Sequence, residues 1–149
     1  WLMLFLDTSQ NPDRSDGMLS RAELSRLERT LAVSGERHVM LFLHHPPVSV
    51  GSSWMDAIGL GNAEALFAIT DRFPQIRGMV FGHIHQQYEG ARKSVRMIGS
   101  PSTSIQFRPR TGQFEIDLLP PAYRWFDFRP DGTFETGVKF LNAQLRCAV

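Results

Sequence analysis

The sequence predicts an α/β domain in which a parallel β-α-β unit is followed by a mostly antiparallel meander of strands. Two short apolar runs, Val39-Met40-Leu41-Phe42-Leu43 and Ile76-Arg77-Gly78-Met79-Val80-Phe81, flank a stretch with helical character. That is the strand-helix-strand order of two parallel strands joined by a crossover. A capping box, Ser20-Arg21-Ala22-Glu23, opens an amphipathic segment ahead of the first run. After His85 the alternation of helices and strands gives way to strands alone.

Taken in order, residues 2–6 read as a strand buried on both faces, which needs neighbours on both sides. The chain opens without a methionine, so we expect sequence upstream of Trp1. Asp7-Thr8-Ser9 and a polar loop over 11–17 follow. A helix is expected over 21–32, where Leu24, Leu27 and Leu31 share one face and Arg21, Glu28 and Arg29 point elsewhere. Gly35 ends the connection to the 39–43 strand. Pro46 and Pro47 cannot extend a ladder, so that strand stops where its histidines begin.

Residues 48–61 are expected as a long loop, placed to shape a substrate pocket. Within it, Trp54 reads as an aromatic anchor, with a lid or base-stacking role as the other reading. Asn62 is the expected cap of a second helix whose apolar side is Ala65, Leu66 and Ile69, closed by Phe73-Pro74. Strands are then expected over 95–98, 104–107, 114–118, 123–128 and 133–140, with Pro130-Asp131-Gly132 as a turn.

Size and composition fit one globular domain over 1–149, with 42% hydrophobic and 21% charged residues. A formal charge of +1 gives no case for nucleic acid or an anionic membrane. Arg108, Arg110 and Arg124 read as a solvated basic face. The single cysteine, Cys147, cannot form an internal disulfide, in keeping with a cytoplasmic protein. No apolar run approaches the ~20 residues of a membrane span.

Four of the five histidines fall at the ends of two successive strands, as Leu43-His44-His45-Pro46-Pro47 and Gly82-His83-Ile84-His85. Parallel strands deliver their C-terminal ends to one edge of the sheet, where α/β proteins place ligands. Neutral imidazole is a common ligand for transition metals, and convergence of this kind points to a metal site. His83 and His85 are two apart and, in extended backbone, would point the same way. Gly82 would let the chain turn sharply and a ligand approach the backbone. His38 lies outside the pattern.

These two motifs, in this order, resemble the last two motifs of the calcineurin-like metallophosphoesterases. The likeness continues through Gly99-Ser100-Pro101-Ser102-Thr103-Ser104-Ile105-Gln106-Phe107, Ala122-Tyr123-Arg124-Trp125 and Pro130-Asp131-Gly132. With Trp54-Met55-Asp56 it is similar to the bacterial cyclic AMP phosphodiesterases of that superfamily, over roughly residues 5–141. The resemblance implies the C-terminal half of a metallophosphoesterase αββα sandwich. It implies that His44 and His83 bind one metal of a binuclear centre and His85 the other. His45, Trp54, Asp56 and Gly82 become substrate-pocket candidates, with His45 a support. The implied cofactors are two divalent ions, manganese, iron or zinc, in the complete protein, and none or one in this chain. The implied chemistry is attack on a phosphodiester such as cyclic AMP by a metal-bridging hydroxide.

The family's earlier motifs, Asp-x-His, Gly-Asp-x-x-Asp and Gly-Asn-His-Asp/Glu, do not occur in these 149 residues. They supply the bridging aspartate and the histidine that assists the leaving group, so no catalytic residue is expected here. Asp7, Asp13, Asp16 and Asp56 sit in no ligand motif. The chain alone is therefore expected to be inactive. The alternatives are a one-metal hydrolase on His44, His83 and His85, or a non-catalytic module. Uncovered sheet edge should make the isolated chain a homodimer or larger, with residues 2–6 near the contact.

Overall fold

The computed structural model describes residues 1–9 and 14–141. The expected loop positions 11–13, Asp13 among them, and Cys147 lie outside these. In chain order the elements are β1 (Leu2–Phe5), α1 (Arg21–Ala32), β2 (Val39–Leu43), α2 (Ser53–Asp56), α3 (Ala63–Thr70) and β3 (Ile76–Phe81). They are followed by β4 (Tyr88–Arg92), β5 (Val95–Gly99), β6 (Gln106–Phe107), β7 (Ile116–Asp117), β8 (Ala122–Phe128) and β9 (Phe134–Phe140).

The α1 helix begins and ends where its sequence predicts. The Ser20 hydroxyl accepts the Glu23 N–H at 3.1 Å. The returning arm of the box is absent, because the Glu23 carboxylate accepts from Asp7 N–H at 3.0 Å and from Arg26 instead. Glu23 thereby ties the start of α1 to the end of β1. At α3 the expected cap is replaced. The Asn62 side chain makes no cap bond; its Oδ1 accepts from Leu19 N–H and its Nδ2 donates to the Leu19 carbonyl, both at 2.9 Å. The asparagine clamps the neighbouring loop rather than its own helix.

One sheet runs β1-β2-β3-β5-β4, parallel except for its β4 edge. The sequence pattern misses β4, since Tyr88-Glu89-Gly90-Ala91-Arg92 has no apolar run. It is a half-exposed edge, formed because a two-residue loop with Lys93 at φ 53° folds it back on β5. Expected strands at 104–107 and 114–118 shrink to the two-residue β6 and β7, a separate antiparallel pair.

Alternation along each central strand divides the interior in two. Val39, Leu41, Leu43, Met79, Phe81 and Met97 pack with Leu27 and Leu31 of α1 and Leu66 and Ile69 of α3. On the opposite face Met40, Val80 and Ile98 meet Phe134, with Phe126 and Phe128 against them. The antiparallel β8–β9 hairpin thus forms a second sheet over the first. Gly78 permits this approach: a Cβ there would lie 2.8 Å from Met40 Sδ and 3.3 Å from Phe134 Cζ. Helices, sheet and hairpin make three layers of the expected αββα sandwich; among the described residues no helix lies outside the hairpin. Among the described residues no helix is long and apolar enough to cross a membrane.

Candidate metal centre

The parallel register pairs Leu43 with Phe81, so His44 and Gly82-His83 leave β2 and β3 side by side. His44 Nε2 and His83 Nδ1 lie 3.1 Å apart. Ring centroids are 5.0 Å apart for His44–His83 and 4.6 Å for His45–His83. Ring nitrogens of His44, His45 and His83 all fall within 4.8 Å of one another.

Two nitrogens on one ion, each bonded at about 2.0–2.1 Å, stand about 2.9–3.4 Å apart, so the His44–His83 contact, here an N–H···N hydrogen bond, has the spacing one metal would also impose. His83 Nε2 is buried with no hydrogen-bond partner among the described residues. The donor set therefore fits a divalent transition metal. Burial, reinforced by the neighbouring rings of His45, His44 and His85, pushes the His83 imidazole down to about 4. Burial also lowers His44, His45 and His85. Rings that resist protonation keep their lone pairs available at neutral pH.

His83 and His85 are not in extended backbone, which corrects the expectation for Gly-His-Ile-His. Both are left-handed, at φ 58° and 48°, a costly conformation for a side-chain-bearing residue that concentrates at functional sites. Gly82 is not left-handed, so the turn falls to the histidines. A Cβ on Gly82 would sit 3.3 Å from His44 Nδ1, and the missing side chain leaves that ring its room. His85 stands outside the tight group. Its Nδ1 lies 3.0 Å from the Ile105 carbonyl oxygen, leaving Nε2 for a ligand.

His45 is braced from behind. Its Nδ1 meets the buried Thr8 hydroxyl at 2.7 Å, and a Cβ on Gly17 would collide with its Cγ at 2.3 Å. Sequence patterns gave no sign of Thr8, which reaches His45 only because β1 lies beside β2. Trp54 anchors its loop, donating from Nε1 to Thr111 Oγ1 at 3.2 Å and packing edge-on against Phe107 and Phe114. That loop is also shorter than expected, being broken by α2.

Asp56 accepts from Ser49 Oγ at 2.6 Å and Val50 N–H at 2.8 Å, fastening the same loop. Asp7 accepts from Ser9 and Asp16 from Arg14. Each of these carboxylates is committed to a local contact, and the histidine group contains none. Arg124 departs from the solvated basic face. Its side chain is 1% exposed and binds Glu89, the Gly99 carbonyl and Thr136 Oγ1.

The chain is 42% identical over 142 residues to the 3',5'-cyclic adenosine monophosphate phosphodiesterase CpdA of Pseudomonas aeruginosa, covering 95% of this chain and 52% of that protein. It is 39% identical over 141 residues to CpdA of Escherichia coli K12, covering 95% and 51%. It is 37% identical over 139 residues to a 3',5'-cyclic-nucleotide phosphodiesterase of Nostoc, covering 93% and 52%. The chain thus spans about half the length of the curated relatives it matches. Among solved structures it resembles a dimetal phosphatase from Danio rerio in fold, with TM-score 0.50 and 24% identity, covering 57% of this chain and 27% of that one. No family model matches the chain.

Proposed function

We propose that the protein carrying this chain is a metal-dependent phosphodiesterase that hydrolyses 3',5'-cyclic nucleotides, cyclic AMP foremost, or related phosphodiesters. The observation that carries this is the 3.1 Å approach of His44 Nε2 to His83 Nδ1, in a chain similar over 95% of its length to cyclic AMP phosphodiesterases. His44 and His83 would hold one divalent ion and His85, through Nε2, a second. Manganese, iron or zinc bound there would lower the pKa of a water and neutralise charge on the phosphate oxygens.

The chain's own residues keep the imidazoles neutral by burial and aim their lone pairs, while Thr8 and Gly17 hold His45 against the group. The bridging carboxylate and the acid for the leaving oxygen are assigned to the half of the relatives' length that this chain does not span. A single cysteine in 149 residues supports a cytoplasmic location.

The test is chelation of the natural protein followed by addition of Mn²⁺. Cyclic AMP hydrolysis is expected to vanish and return, and His83→Ala is expected to abolish it. Full activity after chelation, or in His83→Ala, would overturn the assignment. A one-metal site is a second reading, with His45 in place of the His85 expected for it, because His44, His45 and His83 are the three grouped within 4.8 Å. One ion per protein molecule rather than two would select it.

A further inference from the structure

We propose that segment 105–107 presets His85 as a metal ligand, with Phe107 a positioning residue that acts through the imidazole and does not touch substrate. This rests on the function proposed above, in which His85 takes a divalent ion through Nε2.

Three contacts from one short segment converge on His85. Its Nδ1 lies 3.0 Å from the Ile105 carbonyl oxygen. A carbonyl only accepts, so the contact puts a proton on Nδ1 and, in the neutral ring, leaves the lone pair on Nε2. The Phe107 ring lies flat on the imidazole, with centroids 4.2 Å apart and planes 10° from parallel. The Phe107 N–H donates to the His85 carbonyl at 3.2 Å. The first contact selects the tautomer, the second fixes the plane of the ring, and the third holds the backbone that carries it.

The need for a clamp follows from the backbone. His85 leaves the sheet in a left-handed conformation, φ 48°, outside any regular element. No ladder fixes its side chain, so an unsupported ring would spread over rotamers and tautomers, and ion binding would have to offset that loss of freedom. Supporting groups of this type around a ligating histidine typically change metal affinity 10–100-fold.

Phe107 is itself wedged. Trp54 meets it edge-on at 5.5 Å and Phe114 at 5.1 Å, and those two rings touch each other at 5.3 Å. Trp54 is thus the outer end of an aromatic stack whose inner end is the ligand. Through it the α2 loop and the metal centre are packed as one unit.

The experiment uses the full natural protein as wild type, Phe107→Leu, Phe107→Tyr and Trp54→Leu. ¹⁵N NMR of the metal-free protein reads the His85 tautomer, and calorimetric titration reads Mn²⁺ affinity. Wild type and Phe107→Tyr, which keeps the flat face, are expected to show one tautomer with the proton on Nδ1. Phe107→Leu should show mixed tautomers and bind the His85-dependent ion about 10–100-fold more weakly. Trp54→Leu, a milder disturbance from behind, should shift both readouts the same way by less. It serves as the deciding variant if Phe107→Leu does not fold. A single tautomer with unchanged affinity in the deciding variant would overturn the clamp. Unchanged ion number and affinity in His85→Ala would instead overturn His85 as a ligand, while the metal-free tautomer measurement still judges the clamp.

Discussion

At Gly82 the smallest side chain protects the largest demand of the site. A methyl group there would lie 3.3 Å from His44 Nδ1, tight enough that the ring must yield by a few tenths of an ångström. Gly82→Ala is expected to weaken Mn²⁺ binding about tenfold with little change in Tm, read by calorimetry and thermal melting. The same rings set a pH dependence. His83 titrates at about 4 in the folded chain, against an ordinary value near 6.5 when unfolded. Between those values the unfolded state binds more protons, so stability of the metal-free protein is full above pH 6.5 and falls as the pH drops toward 4. Urea unfolding at pH 7 and pH 4.5 measures this, and equal midpoints would count against burial of neutral rings. His44, His45 and His85 are lowered too and act in the same direction.

Among the elements, the β8–β9 hairpin closes the second face of the sheet almost entirely through aromatic packing. Phe134, buried against Met40, Val80 and Ile98, also meets Trp1, Phe126 and Phe128. Phe134→Ala is expected to cost about 3–5 kcal/mol in urea unfolding, the range for deleting a buried aromatic ring. The turn that aims this hairpin depends on Gly132, at φ 85°, where a Cβ would also strike the His38 ring at 2.5 Å. By contrast the Arg129–Glu135 pair beside it is about half exposed on both sides. Arg129→Ala should therefore change stability by less than about 1 kcal/mol. A loss comparable to that of Phe134→Ala would show that charge rather than packing holds the hairpin.

For the whole molecule, the decisive feature is the exposed β1 edge of the sheet. Among the described residues β1 has β2 on one side and no strand on the other. Met3 and Phe5 stand exposed beside that edge, Phe5 at 67%, although Phe5 stacks on Phe42 at 4.9 Å. Open edges with apolar side chains recruit other chains. The isolated 149-residue chain is expected to be dimeric or larger in light scattering, and to release no AMP from cyclic AMP with Mn²⁺ present. A stable monomer would count against association through β1. Brisk turnover would show that the histidines need no carboxylates from elsewhere.

Residue order alone carried the β-α-β unit, the α1 helix and the arrival of four histidines at the ends of two neighbouring strands, of which His44, His45 and His83 draw close. Those depend on local periodicity, capping and the direction in which parallel strands end, all written in neighbouring residues. It could not show β4, whose half-exposed residues carry no apolar run, nor the exchange of Asn62 from helix cap to loop clamp. Packing of the strands settled that His83 and His85 turn left-handed, that Arg124 is buried, and that Thr8 and segment 105–107 brace the histidines. Those outcomes depend on atoms far apart in the chain, among them a backbone carbonyl that every residue possesses. Contacts of that kind exist only once the strands have packed, so no stretch of sequence announces them.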